Sequence, residues 1–364
     1  SMEEIAGNDL NWFFNQWYYG AGHPVLDITY QWSDANNQEK VIINQKQDGQ
    51  IFHVPIAVDL YANGKVIRKQ AWLTEKSDTL TFSMAAKPEL VNVDADKILI
   101  TKKTDHKTLQ EFNYQYHHAP LYLDRLEAIN AAISQQTTKD GLDIMLSALK
   151  DKYHGLRVKA IRSLKLDSTG VAKPALPVLA GLASHDANYP VRTAAIAELS
   201  KTKSADYIAI YKASLGSPSY MVKGAALIAL NNIAPAGSFK SAKSMEADGK
   251  GQLGQAIVTV YATGGSDAEW PYVIDAFNKS SVQQKYNLTQ GPLTQMTCRL
   301  NNSAYAQQGI TAIKDLAISF KRFNIAPKLI AALQQIEEAR KKVNDAVGAK
   351  AAADTIEGIN KAKE

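Results

Sequence analysis

The chain has 364 residues, 45% of them hydrophobic and 21% charged, with a formal net charge of +5; that length predicts two or three domains, each able to bury a core without staples. Its 21 glycines and 12 prolines are ordinary for a globular protein and exclude a collagenous or low-complexity chain. The lone Cys298 excludes an internal disulfide framework and a cysteine-rich zinc module, and no apolar run approaches the roughly 18–20 residues of a membrane span.

Charge is uneven along the chain. Residues 1–119 hold 11 basic and 15 acidic side chains, and residues 120–364 hold 30 and 21. The change of sign predicts a boundary near 119. The basic excess is spread out rather than gathered into a stripe, which argues against nucleic acid as a partner. A cysteine-poor chain suits cytoplasm and periplasm alike, so the compartment stays open.

Residues 1–22 come first. Ser1 before Met2 reads as the scar of a cleaved expression tag, and no secretory h-region follows. Asn8-Asp9 predicts an N-cap for a short helix over 10–17, in which Leu10, Phe13, Phe14 and Trp17 recur at helical spacing and Trp12 lies off the stripe. So short a helix with aromatics on several sides needs a packing partner. Gly20-Ala-Gly22 ends it, and Pro24 prevents its resumption.

From 23 to 104 the period is two. Leu26, Ile28, Tyr30 and Trp32 share one face, and Phe52, Val54, Ile56, Val58 and Leu60 share another. Asn63-Gly64 predicts a tight hairpin returning along 66–73. Further strands are expected at 39–45, 79–84, 90–93 and 97–101. About seven short strands predict a small antiparallel β-sandwich. Pro55 predicts a free edge at its point in the strand. Residues 105–118 read as a linker, with His117 and His118 extended within it.

From 119 to 343 the period is helical and a repeat emerges. Leu156-Arg157-x-x-Ala160-Ile161 recurs as Val191-Arg192-x-x-Ala195-Ile196 and as Val222-Lys223-x-x-Ala226-Leu227, with weaker copies at Arg125/Ala128/Ile129 and Ala256/Ile257. Two short helices fit each repeat, the second carrying the motif, which predicts an α-solenoid of HEAT-like repeats. Pro174, Pro177 and Pro190 are expected at helix starts or loops. The period blurs after 262, though 306–320 and 325–343 still read as helices. Residues 344–364 form an Ala/Lys-rich tail, helical or disordered.

No catalytic constellation emerges. HExxH, GxSxG, P-loop and GxGxxG motifs are absent, and no histidine has a partner at helical metal-ligand spacing. Asp94-Ala-Asp96 reads as a strand-end turn and His185-Asp186 as a loop. Cys298 has no neighbouring histidine or asparagine, so it reads as inert. No catalytic, cofactor or metal residue is assigned. The one patterned polar feature is the basic position Arg125, Arg157, Arg192 and Lys223. It forms either a structural ladder reaching acceptors in its own or adjacent repeats, or a cationic wall lining a cleft.

The segment DLNWFFNQWYYGAGHPVLDITY, with Trp12, Phe13, Phe14, Trp17, Gly22, Pro24 and Val25, resembles the end of the catalytic domain of gluzincin zinc aminopeptidases, the membrane alanyl aminopeptidase family. Residues 87–100 resemble that family's exit from its β-sandwich, and the order of β-sandwich then helical repeats is also similar. The resemblance implies a chain that is the C-terminal half of such an enzyme. It implies that Trp12, Phe13, Phe14 and Trp17 pack between domains, and that zinc resides in a catalytic domain lying before residue 1. The partners implied are that domain and the peptide substrates of the parent. The family's HExxH, its glutamate ligand, its catalytic tyrosine and its G-x-M-E-N segment do not occur here, so no catalytic residue carries over.

Two readings follow. In the first, the chain is the non-catalytic portion of a zinc aminopeptidase, capping the active-site cleft and limiting peptide access. In the second, it is a stand-alone HEAT-repeat scaffold that binds a protein partner.

Overall fold

The computed structural model describes residues 2–320, 323 and 325–361. Ser1 and the last three residues of the expected tail lie outside them. The chain divides into two compact units, 1–172 and 173–364.

The first unit opens with two short helices, α1 (Met2–Ala6) and α2 (Asn11–Phe14), and a single π-helical turn, Asn15–Tyr19. The regular helix expected over 10–17 is therefore split. Seven strands follow among the described residues: β1 Val25–Ser33, β2 Gln38–Gln45, β3 Val54–Ala62, β4 Lys65–Leu73, β5 Ser77–Ser83, β6 Leu90–Val93 and β7 Lys102–Asp105. They form two sheets, ordered β5-β2-β1-β7 and β4-β3-β6. Leu26, Ile28, Val41 and Ile43 from one sheet meet Val54, Ile56, Val58, Leu60 and Val93 from the other in a single buried core, which makes the pair a β-sandwich. The alternating side chains along β1 and β2 produce this directly.

Two local departures have physical causes. Residues 98–101 are not a strand; Asp94 and Lys97 both adopt left-handed backbone, which turns the chain after β6, and pairing resumes only at β7, parallel to β1. Strand β3 is buried on both faces rather than one. It is the central strand of its sheet, and its outer face is covered as Tyr61 packs with Leu90 and Ala119 and Asp59 pairs with Arg68. Pro55 lies outside the β6 ladder, which runs only from Val58 to Tyr61, so that side of the strand is free at the proline. At the β3–β4 hairpin, Asn63 and Gly64 both have positive φ (52° and 70°), as a tight two-residue turn requires.

The expected linker contains helix α3 (Leu109–His118). Its start is fixed by a capping box: Thr108 Oγ1 accepts from the Glu111 amide, and Glu111 Oε2 accepts from the Thr108 amide. His117 and His118 therefore occupy the last turn of a helix instead of an extended segment. Helices α4 (Tyr122–Ala132), α5 (Lys139–Ala148) and α6 (His154–Ser163) complete this unit. Helix α7 (Thr169–His185) holds Pro174 and Pro177 in its interior, contrary to expectation. The 17-residue helix continues through them because Val171, Ala175, Leu179 and Ala183, spaced by four, are all fully buried along one face.

The second unit is helical: α8 (Tyr189–Lys201), α9 (Ile208–Ser214), α10 (Tyr220–Ile233), α11 (Pro235–Met245), α12 (Gly251–Gly264), α13 (Trp270–Lys279), α14 (Val282–Thr289), α15 (Pro292–Arg299), α16 (Ser303–Ser319), α17 (Ala326–Lys342) and α18 (Ala346–Lys361). Pro190 lies in the first turn of α8, where its missing N–H is tolerated. The motif-bearing helices stack, α8 on α10 and α10 on α12. Ala195, Ile196, Ala226, Leu227 and Ile257 are buried at those contacts. The approach is close at Gly224, where an added Cβ would stand 2.7 Å from the Gln252 carbonyl oxygen. The fold is thus a β-sandwich followed by an α-solenoid of HEAT-like repeats.

Two predictions arise from this packing. Ala195→Leu should overpack the α8–α10 contact and lower stability by about 1–3 kcal/mol; an unchanged melting temperature would contradict the contact. Tyr211 is fully buried in α9, and its hydroxyl has no hydrogen-bond partner among the described residues, while burial pushes its pKa up to about 12. Tyr211→Phe removes a desolvated hydroxyl and should leave stability unchanged or raise it by about 1 kcal/mol, measured by urea denaturation.

Candidate functional site

The N-terminal aromatic segment is anchored on the sandwich through Gln16 and Trp17. Gln16 is buried, donating from Nε2 to the His53 carbonyl at 3.0 Å and accepting the His53 amide at 2.7 Å. Trp17 packs on Phe52, with ring centroids 5.3 Å apart, and joins the sandwich core. Phe14 is half-buried, and its ring meets that of Phe13 edge-on. Trp12 and Phe13 are exposed, as are Tyr18 and Tyr19. Trp12 leans edge-on against Trp72, itself half exposed on β4. The segment thus presents a patch of rings on a rigid support, an arrangement that fits an apolar partner better than a reacting centre.

The basic row has the following geometry. Arg125 is buried: its Nε donates to Asp151 at 2.7 Å, and Nη1 donates to the Pro120 and Leu121 carbonyls at 3.1 and 3.2 Å. Arg157 donates to the Asp151 carbonyl at 2.8 Å. Arg192 donates from Nε to the Ala183 carbonyl at 3.3 Å. Lys223 is half-buried, with its ammonium 6.0 Å from the centroid of the Tyr220 ring in its own helix. The three arginines therefore spend donors on neighbouring carbonyls or a carboxylate, as a cation in a partly desolvated repeat must.

A second charged cluster has no counterpart in the sequence motifs. It sits beside a cleft of about 490 Å³ in the first unit, between the turn after β6, β7 and α4. Lys97 Nζ reaches Asn92 at 2.9 Å, Asp124 at 3.1 Å and Glu127 at 3.3 Å. Lys103 reaches Glu127 at 2.7 Å, and Lys107 reaches Asp105 at 2.7 Å. Burial and the neighbouring Lys97 ammonium lower the pKa of Lys103. Burial opposes charge on Lys97 too, but Glu127 and Asp124 outweigh it and raise its pKa. Glu127 stays a carboxylate because Lys103 and Lys97 overcome its own burial. Every ammonium in the cluster is paired, so it acts as an ionic rivet holding α4 to the sandwich. The left-handed backbone of Lys97 aims it inward, and spacing along the chain gives no sign of that.

The remaining candidates are dispersed. His117 pairs with Asp143 at 3.2 Å, and His118 stacks on Tyr114. Asp94-Ala-Asp96 forms a turn, from which Asp96 reaches Arg68 at 2.6 Å. Burial raises the pKa of the Cys298 thiol, making it a poor nucleophile. Among the described residues, no three histidine, cysteine, aspartate or glutamate side chains converge as a metal site requires. The described residues therefore do not fit a zinc ion. No helix among them is long and apolar enough to cross a membrane.

The β-sandwich and solenoid frame these features, and comparison with known proteins bears on the same two parts. The model of HEAT repeats matches residues 142–231. No curated protein sequence matches the chain. Among solved structures it is similar to Legionella pneumophila aminopeptidase A in complex with aspartic acid, with a TM-score of 0.50 and 14% identity over 97% of this chain and 51% of that one. The chain thus spans about half the length of that aminopeptidase, and at this identity the likeness is one of fold. The complex of CpcE and CpcF of phycocyanin lyase from Nostoc sp. matches with a TM-score of 0.43 at 16% identity, over 70% of this chain and 95% of that one. Human deoxyhypusine hydroxylase in complex with glycerol matches at 0.31 and 12%, over 69% and 96%.

Proposed function

We propose that this chain is the non-catalytic C-terminal portion of a zinc-dependent aminopeptidase, and that it caps the active-site cleft of the intact protein and limits which peptides enter. The observation that carries this reading is the exposed ring patch. It lies in the segment whose sequence resembles the end of the family's catalytic domain, and Gln16 and Trp17 hold it rigidly on the sandwich while Trp12, Phe13, Tyr18 and Tyr19 are left for a partner. The sandwich-then-solenoid order and the likeness in fold to an aminopeptidase support it. In this reading zinc and its activated water belong to the catalytic domain, and no step of peptide hydrolysis runs through the residues described here. The intact protein removes N-terminal residues from peptides.

The test is the natural reading frame around the Met2 codon. An HExxH followed by a downstream glutamate, in frame and upstream, is the expected result. A frame without that motif overturns the reading and leaves a HEAT-repeat scaffold for a protein partner.

A further inference from the structure

Lys103 differs from the other two lysines of the charged cluster in what its nitrogen meets. Lys97 Nζ reaches four acceptors: Asn92, the Val93 carbonyl, Asp124 and Glu127. Lys107 Nζ has Asp105 at 2.7 Å and stands over the Tyr30 and Phe112 rings. Among the described residues Lys103 Nζ has two acceptors, Glu127 Oε1 at 2.7 Å and the Val93 carbonyl at 3.4 Å. It shares Glu127 with Lys97. Two acceptors satisfy both N–H groups of a neutral amine and leave its lone pair free, whereas an ammonium would hold a third N–H without a protein partner. The surroundings favour the neutral form. Burial, Lys97 and Lys107 outweigh Glu127, Asp105 and Asp94, and the Lys103 side chain is only 10% exposed. A lysine desolvated beside a second cation is the kind of amine that attacks carbonyl groups.

Lys103 also lines the cleft of about 490 Å³, whose apolar wall is Leu99, Phe112 and Leu123. We propose that Lys103 captures a small apolar aldehyde in this cleft as an imine, with Glu127 carrying the protons. The Lys103 nitrogen bonds to the carbonyl carbon, and one of its protons moves through Glu127 to the carbonyl oxygen. The second proton follows the same route, the oxygen leaves as water, and the C=N double bond closes. Amine and aldehyde thus give imine and water, with no oxidant or reductant consumed. Glu127 is placed for both transfers by its contact with Lys103, and Lys97 holds its other oxygen. The acidic side chains Asp94, Asp105 and Glu127 line the cleft beside Lys97 and Lys103, which disfavours an anionic carbonyl compound such as a keto acid. The inference does not depend on the aminopeptidase reading.

The test incubates the whole chain with butanal at neutral pH, quenches timed samples with borohydride to fix the imine as a stable amine, and locates the added butyl groups by peptide mass spectrometry. Labelling at Lys103 is expected to be at least about tenfold faster than at any other lysine, and to level off at a lower pH than theirs. Glyoxylate, small but anionic, should show no such preference for Lys103. Glu127→Gln, folded by circular dichroism, should slow labelling at Lys103 about a hundredfold and leave the other lysines unchanged. The proposal is overturned if Lys103 is labelled no faster than the exposed lysines, if glyoxylate labels it as readily as butanal does, or if folded Glu127→Gln labels it at the parent rate. The comparison among lysines in the parent chain decides the matter even if that variant fails to fold.

Discussion

Arg125→Ala is expected to destabilise the first unit by roughly 3–5 kcal/mol, the cost of leaving a buried charge without its partner. Asp151 is buried, and its carboxylate is held by Arg125 Nε at 2.7 Å, the Tyr116 hydroxyl at 2.9 Å and the Tyr153 amide at 2.8 Å. Removing the guanidinium leaves that carboxylate with neutral donors alone. It also removes the side-chain donor from the Pro120 and Leu121 carbonyls. Asp151→Asn keeps an acceptor for the Tyr153 amide and should cost less, and the double variant should cost less than the sum of the two. A urea-denaturation cycle measures this. A loss below about 1 kcal/mol for Arg125→Ala would mean that the ion pair carries little of the fold and that the arginine is available to a ligand.

Glu39→Gln is expected to stabilise the sandwich by about 2–3 kcal/mol at pH 8 and to change little at pH 4. Glu39 is buried on β2 on the same face as Val41 and Ile43, opposite Trp32 on one side and Phe82 on the other. Burial pushes its pKa up to about 7, Lys87 and the Gln31 amide pull against that rise, and Glu111 adds to it. Below about pH 4.5 the carboxyl is protonated in both folded and unfolded chains. Between there and pH 7 the folded chain keeps a proton that the unfolded chain has lost, so stability falls as pH rises through that window and stays low above it. Thermal melts from pH 4 to pH 8 should show this slope in the parent chain and lose most of it in the variant. A slope that survives Glu39→Gln would assign it to another group.

The sandwich was legible because β1 and β2 alternate cleanly, and the solenoid because Ala beside Ile or Leu recurs on each motif helix. What escaped were features set by neighbours distant in sequence. The alternation along β3 marks a single apolar face, and nothing in its own residues says that Tyr61 and Asp59 are covered from outside. Lys97 read as part of a strand because its inward aim depends on left-handed backbone. Helix α3 escaped because its apolar stripe is short, although Thr108 and Glu111 spell its capping box. The charge reversal near 119 follows the change from strands to helices. The compact units divide later, at 172, because Lys97, Lys103 and Asn92 tie α4 to the sandwich.

The most direct measurement is made on the natural polypeptide that contains this sequence, purified from its source with an antibody raised against the 39.8 kDa chain. Its intact mass, its zinc content and its hydrolysis of an aminoacyl anilide are read together. The account predicts a polypeptide about twice as long as this chain, in keeping with the 51% of the aminopeptidase that it spans, carrying one zinc ion and releasing the anilide. A polypeptide no longer than this chain, without zinc and without that activity, would contradict it.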